Sequence, residues 1–168
     1  LEPGTQLVFE NGRANLKRYW TPRFGERHAG SPDTLHAALR DTLDAGVARC
    51  NPDLQTGAFL SGGVDSSTIV AAMSRFSSSP VKTYAIGYSG STGAALYNEL
   101  HHARRIAERF GTDHHEIEVQ PAVIELLPQL VWHMDEPTAD SALITSSLVS
   151  EFARRDVKVI LSGVGGDE

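Results

Sequence analysis

The chain has 168 residues, 40% of them hydrophobic and 21% charged, which suits one soluble globular domain with a core of its own. Its formal net charge is −6 and no basic run exceeds the pairs Lys17-Arg18, Arg104-Arg105 and Arg154-Arg155, so no nucleic acid is expected as a partner, because phosphate-backbone binding needs a counterion-releasing basic surface. A single cysteine (Cys50), no apolar run near the roughly 20 residues of a membrane span, and no signal-peptide order exclude an intrachain disulfide and lead to a cytoplasmic expectation with no membrane partner.

The first predicted element is a hairpin over residues 6–19, with Asn11-Gly12 as its turn because both positions tolerate positive φ. A lone hairpin is marginal in water, so its other strands are expected upstream. Trp20-Thr21-Pro22 and the polar stretch to Gly30 read as a linker. Ser31 is a good N-cap and Pro32 a good first helical residue. Leu35, Leu39, Leu43 and Val47 then lay an apolar stripe along a helix ending near Arg49, expected as core packing.

From Thr56 onward strand and helix alternate. Strands are predicted at 57–60, 81–88, 114–119 and 157–161. Helices are predicted at 66–76, at 98–110 (closed by Gly111 at C′), at 121–133 with a break at Pro128, and at 142–155. This order implies βαβ crossovers and an α/β fold, a doubly wound and mainly parallel sheet.

Two glycine-rich segments follow strands. The first, Ser61-Gly62-Gly63-Val64-Asp65-Ser66-Ser67, occupies a strand-to-helix turn. Such a turn presents unpaired N–H groups and the positive end of a helix dipole. Gly62 and Gly63 admit close approach of an anion, and Ser61, Ser66 and Ser67 add hydroxyl donors. Asp65 repels a naked phosphate and therefore asks for a bridging cation such as Mg²⁺. The spacing is not that of a Walker A loop, and no lysine precedes the serines. The segment resembles the PP-loop of ATP pyrophosphatases.

The second segment, Leu161-Ser162-Gly163-Val164-Gly165-Gly166-Asp167-Glu168, echoes the first. In a doubly wound sheet the first and fourth strands of the series can lie side by side where the winding reverses, and ligands bind above the strand ends there. Asp65 and Asp167 are then natural co-ligands of one Mg²⁺.

Leu60 through Ser67, the 161–168 segment, Trp132-His133-Met134-Asp135-Glu136-Pro137 with Asp140-Ser141, and Gly111-Thr112-Asp113-His114-His115-Glu116 together resemble the asparagine synthetase family, in that family's order along nearly the whole chain. Pro3-Gly4 and Arg18-Tyr19-Trp20 are similar to the seam at which its glutaminase domain ends. The resemblance implies an adenine-nucleotide α-hydrolase-like fold, with residues 1–22 closing an upstream glutaminase-like domain. Residues 23–168 would then be the first part of a synthetase domain truncated at its C-terminus. It implies ATP and Mg²⁺ as cofactors. Leu60, Ile86, Ser61, Gly62, Gly63, Asp65, Ser66, Ser67, Ser162 and Gly163 would hold the nucleotide, and Asp65 and Asp167 the metal. The family's catalytic lysine is expected beyond Glu168, so no catalytic residue is assigned, and this chain alone is expected to be inactive. The implied partners are ATP, aspartate or another carboxylate, and ammonia from glutamine, with a homodimer as one assembly open to the full-length protein.

One departure stands out: Val164 occupies a position that is commonly acidic in asparagine synthetases. It is read as a buried apolar side chain and keeps open a β-lactam-forming, peptide-cyclising or glycan-amidating relative. A non-catalytic nucleotide-binding module is another alternative, and a different PP-loop enzyme, such as a tRNA-modifying one, is disfavoured by the lack of a basic surface and of paired cysteines. His101, His102, His114 and His115 are not expected to form a metal site, because adjacent pairs should diverge and no zinc pattern completes them. Trp20, Trp132 and Cys50 are expected as packing residues.

Overall fold

The computed structural model describes residues 1–25, 30–50, 55–89, 99–119, 123–135, 138, 140 and 142–166. The chain divides into two compact units, Leu1–Ala37 and Ala38–Glu168.

In the first unit, strands β1 (Thr5–Glu10) and β2 (Arg13–Arg18) pair antiparallel from Thr5↔Arg18 to Glu10↔Arg13. Their two-residue turn has Asn11 at φ 51° and Gly12 at φ 75°, so both central residues are left-handed, as a type I′ turn requires. Helix α1 (Pro32–Arg49) starts where Ser31 Oγ accepts the Thr34 N–H at 3.3 Å, which satisfies one of the helix's orphan donors.

The expected core stripe of α1 is corrected by the structure. Val47 is buried, but Leu35 is exposed and Leu39 is 60% exposed. Periodicity marks an apolar face on a helix; whether anything covers that face is a tertiary matter. Trp20, Trp132 and Cys50 are likewise exposed rather than packed.

The second unit holds four strands: β3 (Thr56–Phe59), β4 (Lys82–Tyr88), β5 (Asp113–Val119) and β6 (Val159–Leu161). All neighbours pair parallel in the order β5-β4-β3-β6. Helix α2 (Val64–Phe76) connects β3 to β4, and α3 (Leu100–Phe110) precedes β5. Helices α4 (Val123–Met134) and α5 (Ala142–Ala153) lie between β5 and β6. The winding runs outward from β3 through β4 to β5, then returns to β6 on the other side of β3. That reversal is the switch point of a doubly wound sheet.

Both faces are covered, as a parallel sheet requires. Ala58, Leu60, Val81 and Ala85 pack with Val70 and Met73 of α2 and with Leu100, Ala103 and Ala107 of α3. Tyr84, Phe59, Ile86 and Ile160 pack with Val149, Phe152 and Ala153 of α5. Period-two alternation along β4 sends Ala85 to one layer and Tyr84 and Ile86 to the other. Gly111 ends α3 at φ 61°, accepting no side-chain constraint there, and Thr112 N–H closes back on Ala107 O at 3.1 Å.

The expected break at Pro128 does not occur, because α4 runs through it from Val123 to Met134. Its missing N–H leaves one intrahelical carbonyl, that of Ile124, without its donor, and the other bonds of the helix carry it through. The predicted helix starts at Asn98 and Pro121 lie outside the described residues.

Tyr84 is fully buried, stacked on His115 with centroids 5.3 Å apart, and its hydroxyl reaches Asp156 Oδ2 at 3.5 Å. Burial, and then the negative charge of Asp156, push its phenol from 10.0 up to about 12. The folded state thus favours the protonated phenol. Its contribution should be complete below about pH 10 and vanish as pH rises toward 12. Urea midpoints of the wild type and Tyr84→Phe, compared across that window, should converge as pH rises if Tyr84 is the titrating group; a constant gap would refute it.

Candidate functional site

At the switch point, β3 and β6 run in register from Thr56↔Val159 to Ala58↔Leu161, so the two glycine-rich loops leave the sheet side by side. A cleft of about 570 Å³ opens above them. Leu60, Ser61, Gly63, Asp65, Ser66, Ile86, Ser162 and Gly163 all line it.

The first loop is held by its own hydroxyls. Ser66 Oγ accepts the Ser61 N–H at 3.3 Å and lies 3.1 Å from Ser61 Oγ. Ser61 Oγ in turn accepts the Gly63 N–H at 3.3 Å. Helix α2 begins at Val64, and its first backbone bond is Ser67 N–H to Gly63 O at 3.0 Å. No side chain caps this helix end. Gly63, Val64, Asp65 and Ser66 at its start line the cleft, so the positive pole of the helix lies there, an arrangement suited to an anion.

Two predicted residues sit elsewhere. Gly62, at φ 84°, faces α3: a Cβ there would stand 2.5 Å from the His102 carbonyl carbon. It does not line the cleft, and it sets how closely the loop approaches α3. Ser67 lies one turn into α2 with its Oγ buried and without a protein partner. Asp167, the other predicted metal ligand, lies outside the described residues.

The second loop presses onto the first. A Cβ on Gly163 would be 2.6 Å from both the Asp65 carbonyl carbon and the Ser66 nitrogen, so only glycine lets β6 deliver this loop over the start of α2. Gly166 is equally close to the Asp65 side chain, its notional Cβ 2.9 Å from Cγ. The Asp65 carboxylate is thereby lodged between the loops at the cleft's edge. A Mg²⁺ ion takes one or two protein carboxylates and completes its shell with waters and phosphate oxygens. A single carboxylate beside an uncapped helix end fits that donor set. Among the described residues no group of three or more histidine, cysteine, aspartate or glutamate side chains forms a metal cluster.

Residues 38–168 match the family model of asparagine synthase. The chain belongs to the asparagine synthase family. It is 33% identical to the glutamine-hydrolysing asparagine synthetase 1 of Bacillus subtilis, a match covering 100% of this chain and 26% of that protein. It is 28% identical to asparagine synthetase 2 of Arabidopsis thaliana over 96% of this chain and 29% of the relative. The chain thus spans about a quarter to a third of the length of these curated relatives. Among solved structures it is similar to an NH3-dependent NAD synthetase from Campylobacter jejuni, with TM-score 0.43 and 18% identity over 76% of this chain and 54% of that one. It is also similar to an NMN synthetase from Francisella tularensis, with TM-score 0.46 and 17% identity over 78% and 53%.

Sequence reasoning missed part of this family member's cleft. Phe59, Tyr84, Tyr88, Thr145, Ser146 and Val149 line it from the α5 side of the sheet, and Glu99 from the start of α3. No local motif marks them; they arrive through strand alternation and helix docking. Val164 also lines the cleft, but it is 93% exposed, which corrects the expectation of a buried side chain. The loop turns outward there, with Gly166 N–H bonded back to Gly163 O at 3.2 Å. Asp140 caps α5: its Oδ1 accepts the Ala142 N–H at 2.9 Å.

Among the described residues, no histidine lines the cleft. His114 Nδ1 is 2.8 Å from the Thr83 hydroxyl, and its Nε2 is 3.2 Å from Glu116, which Arg104 also grips. Burial holds the His114 imidazole below its ordinary pKa against the pull of Glu116. His115 Nε2 lies 3.2 Å from Asp113 Oδ1 but lacks hydrogen-bond geometry. The rings of His101 and His102, both exposed near the start of α3, have centroids 3.8 Å apart, contrary to the expected divergence.

Proposed function

We propose that the cleft binds ATP with Mg²⁺ and that the full-length protein is an AMP-forming ligase of the asparagine synthetase type. The observation that carries this reading is the meeting of two glycine-rich loops at the switch point, with an uncapped helix end and the Asp65 carboxylate between them. The first-turn N–H groups of α2 would hold the terminal phosphates. Leu60 and Ile86 would hold the adenosine through their backbone, and Ser162 and Gly163 would close the other side. Asp65, with Asp167, would hold Mg²⁺, which would supply charge neutralisation on the phosphates.

In the reaction, a carboxylate oxygen of the acceptor attacks the α-phosphorus and pyrophosphate departs with its bond electrons. Ammonia then attacks the acyl carbon and AMP leaves. The acceptor we infer is the aspartate side chain, with ammonia drawn from glutamine. Residues 1–22 are read as the end of a glutaminase-like domain and 23–168 as part of the synthetase domain.

Val164 supports a second reading. An apolar side chain stands exposed in the cleft at a position commonly acidic in asparagine synthetases. General acid–base help is typically worth about 10²–10⁴-fold in rate. A relative that adenylates a different carboxylate is compatible with its loss.

The test is calorimetric or NMR titration of the 168-residue chain with ATP, in Mg²⁺ and in EDTA. Binding that needs Mg²⁺ is expected, and equal binding in EDTA would remove the metal from the proposal. Pyrophosphate release by the full-length protein across a carboxylate panel then separates the readings. Efficient asparagine formation, unimproved by Val164→Glu, would dismiss the second.

A further inference from the structure

The cleft has one feature that phosphate binding does not use. Tyr88 is the last residue of β4, at the sheet's ligand-facing end, and Thr145 lies in the first turns of α5. Their hydroxyls are hydrogen-bonded to each other, and both residues line the cleft. The bond ties the end of β4 to α5 on the side where Phe59, Ile86 and Val149 supply apolar surface. The polar groups of the two loops (Ser61, Ser66 and Ser162) supply the other.

We infer that Tyr88 and Thr145 are a positioning pair for the base of the nucleotide, a conclusion that rests on the reading of the cleft as an ATP site. A purine ring is large and flat and gains from apolar and aromatic contact, which directs it toward the α5 side. There the Tyr88 phenol is the outermost aromatic group of β4. Untethered, it can turn into solvent. Bonded to Thr145, it stays as part of the wall and keeps α5 at a fixed distance from the strand. In a hydrogen-bonded hydroxyl pair one partner donates and the other keeps a free O–H. The pair can therefore still offer a donor and lone pairs to a base edge, whichever way the bond runs.

The test uses the 168-residue chain with three probes in Mg²⁺: ATP, adenosine and inorganic tripolyphosphate. Tyr88→Phe removes one oxygen and keeps the ring. Loss of one hydrogen bond should weaken ATP and adenosine about three- to tenfold and leave tripolyphosphate unchanged. Thr145→Val should do the same, Thr145→Ser should retain binding, and the double variant should lose no more than either single one. Unchanged adenosine affinity in Tyr88→Phe would overturn the assignment. So would an equal loss for tripolyphosphate, which would mark general loosening of the fold. Failure of the unaltered chain to bind ATP would instead defeat the nucleotide reading itself, before any variant is compared.

Discussion

Gly62→Ala is expected to destabilise the second unit by about 2–6 kcal/mol, the sum of a left-handed backbone penalty and overpacking. Gly62 holds φ at 84°, and an added Cβ would stand 2.5 Å from two carbon atoms of His102 and 2.7 Å from the Ala103 nitrogen. Those neighbours are mostly helix backbone, which cannot rotate aside. Either the loop or α3 must move, and α3 is anchored by buried Leu100, Ala103 and Ala107. Against a total stability of about 5–15 kcal/mol for a domain, this loss is large. Gly46→Ala is the control. Gly46 lies inside α1 with nothing within 4 Å of a Cβ, and alanine there should stabilise by about 0.5–1 kcal/mol. Chemical denaturation of both variants reads the contrast. Equal midpoints would show that the loop does not depend on contact with α3.

Asp65→Asn is expected to lower ATP affinity in Mg²⁺ by about 100-fold or more, since even partners that only orient a metal's ligands are worth 10–100-fold. The loss should disappear or reverse in EDTA. Without the cation, a carboxylate beside the α2 N-terminus repels phosphate, so the neutral amide should bind ATP as well as the wild type or better. The side chain is nearly isosteric, and its place between the loops at Gly166 is preserved. Titration of both proteins under both conditions gives the four affinities. A variant that loses affinity equally in Mg²⁺ and EDTA would assign Asp65 to holding the loops together rather than to the metal.

Local chemistry made several elements legible. Asn11-Gly12 announces a turn because few other residues accept two positive φ values, and the register follows from its two-residue length. Gly111 announces the end of α3 for the same reason. Alternating strand and helix patterns from Thr56 onward sufficed for a parallel α/β sheet, and the repeated Ser-Gly pattern sufficed to place β6 beside β3. Pro128 misled because one proline removes only one backbone hydrogen bond, which the rest of a helix can outweigh.

The sequence by itself determined the loops, their residue types, and which strands carry them, because φ preference, helix-end chemistry and strand periodicity are properties of a few neighbouring residues. Only the tertiary structure decided that Gly62 faces α3 and Gly163 lies on α2, that Val164 is exposed in the cleft, and that Leu39 is left uncovered. It also decided that Tyr88 meets Thr145 across 57 residues of chain. Such facts depend on how layers dock, and docking is fixed by the summed packing of both sheet faces, to which no single segment holds the key.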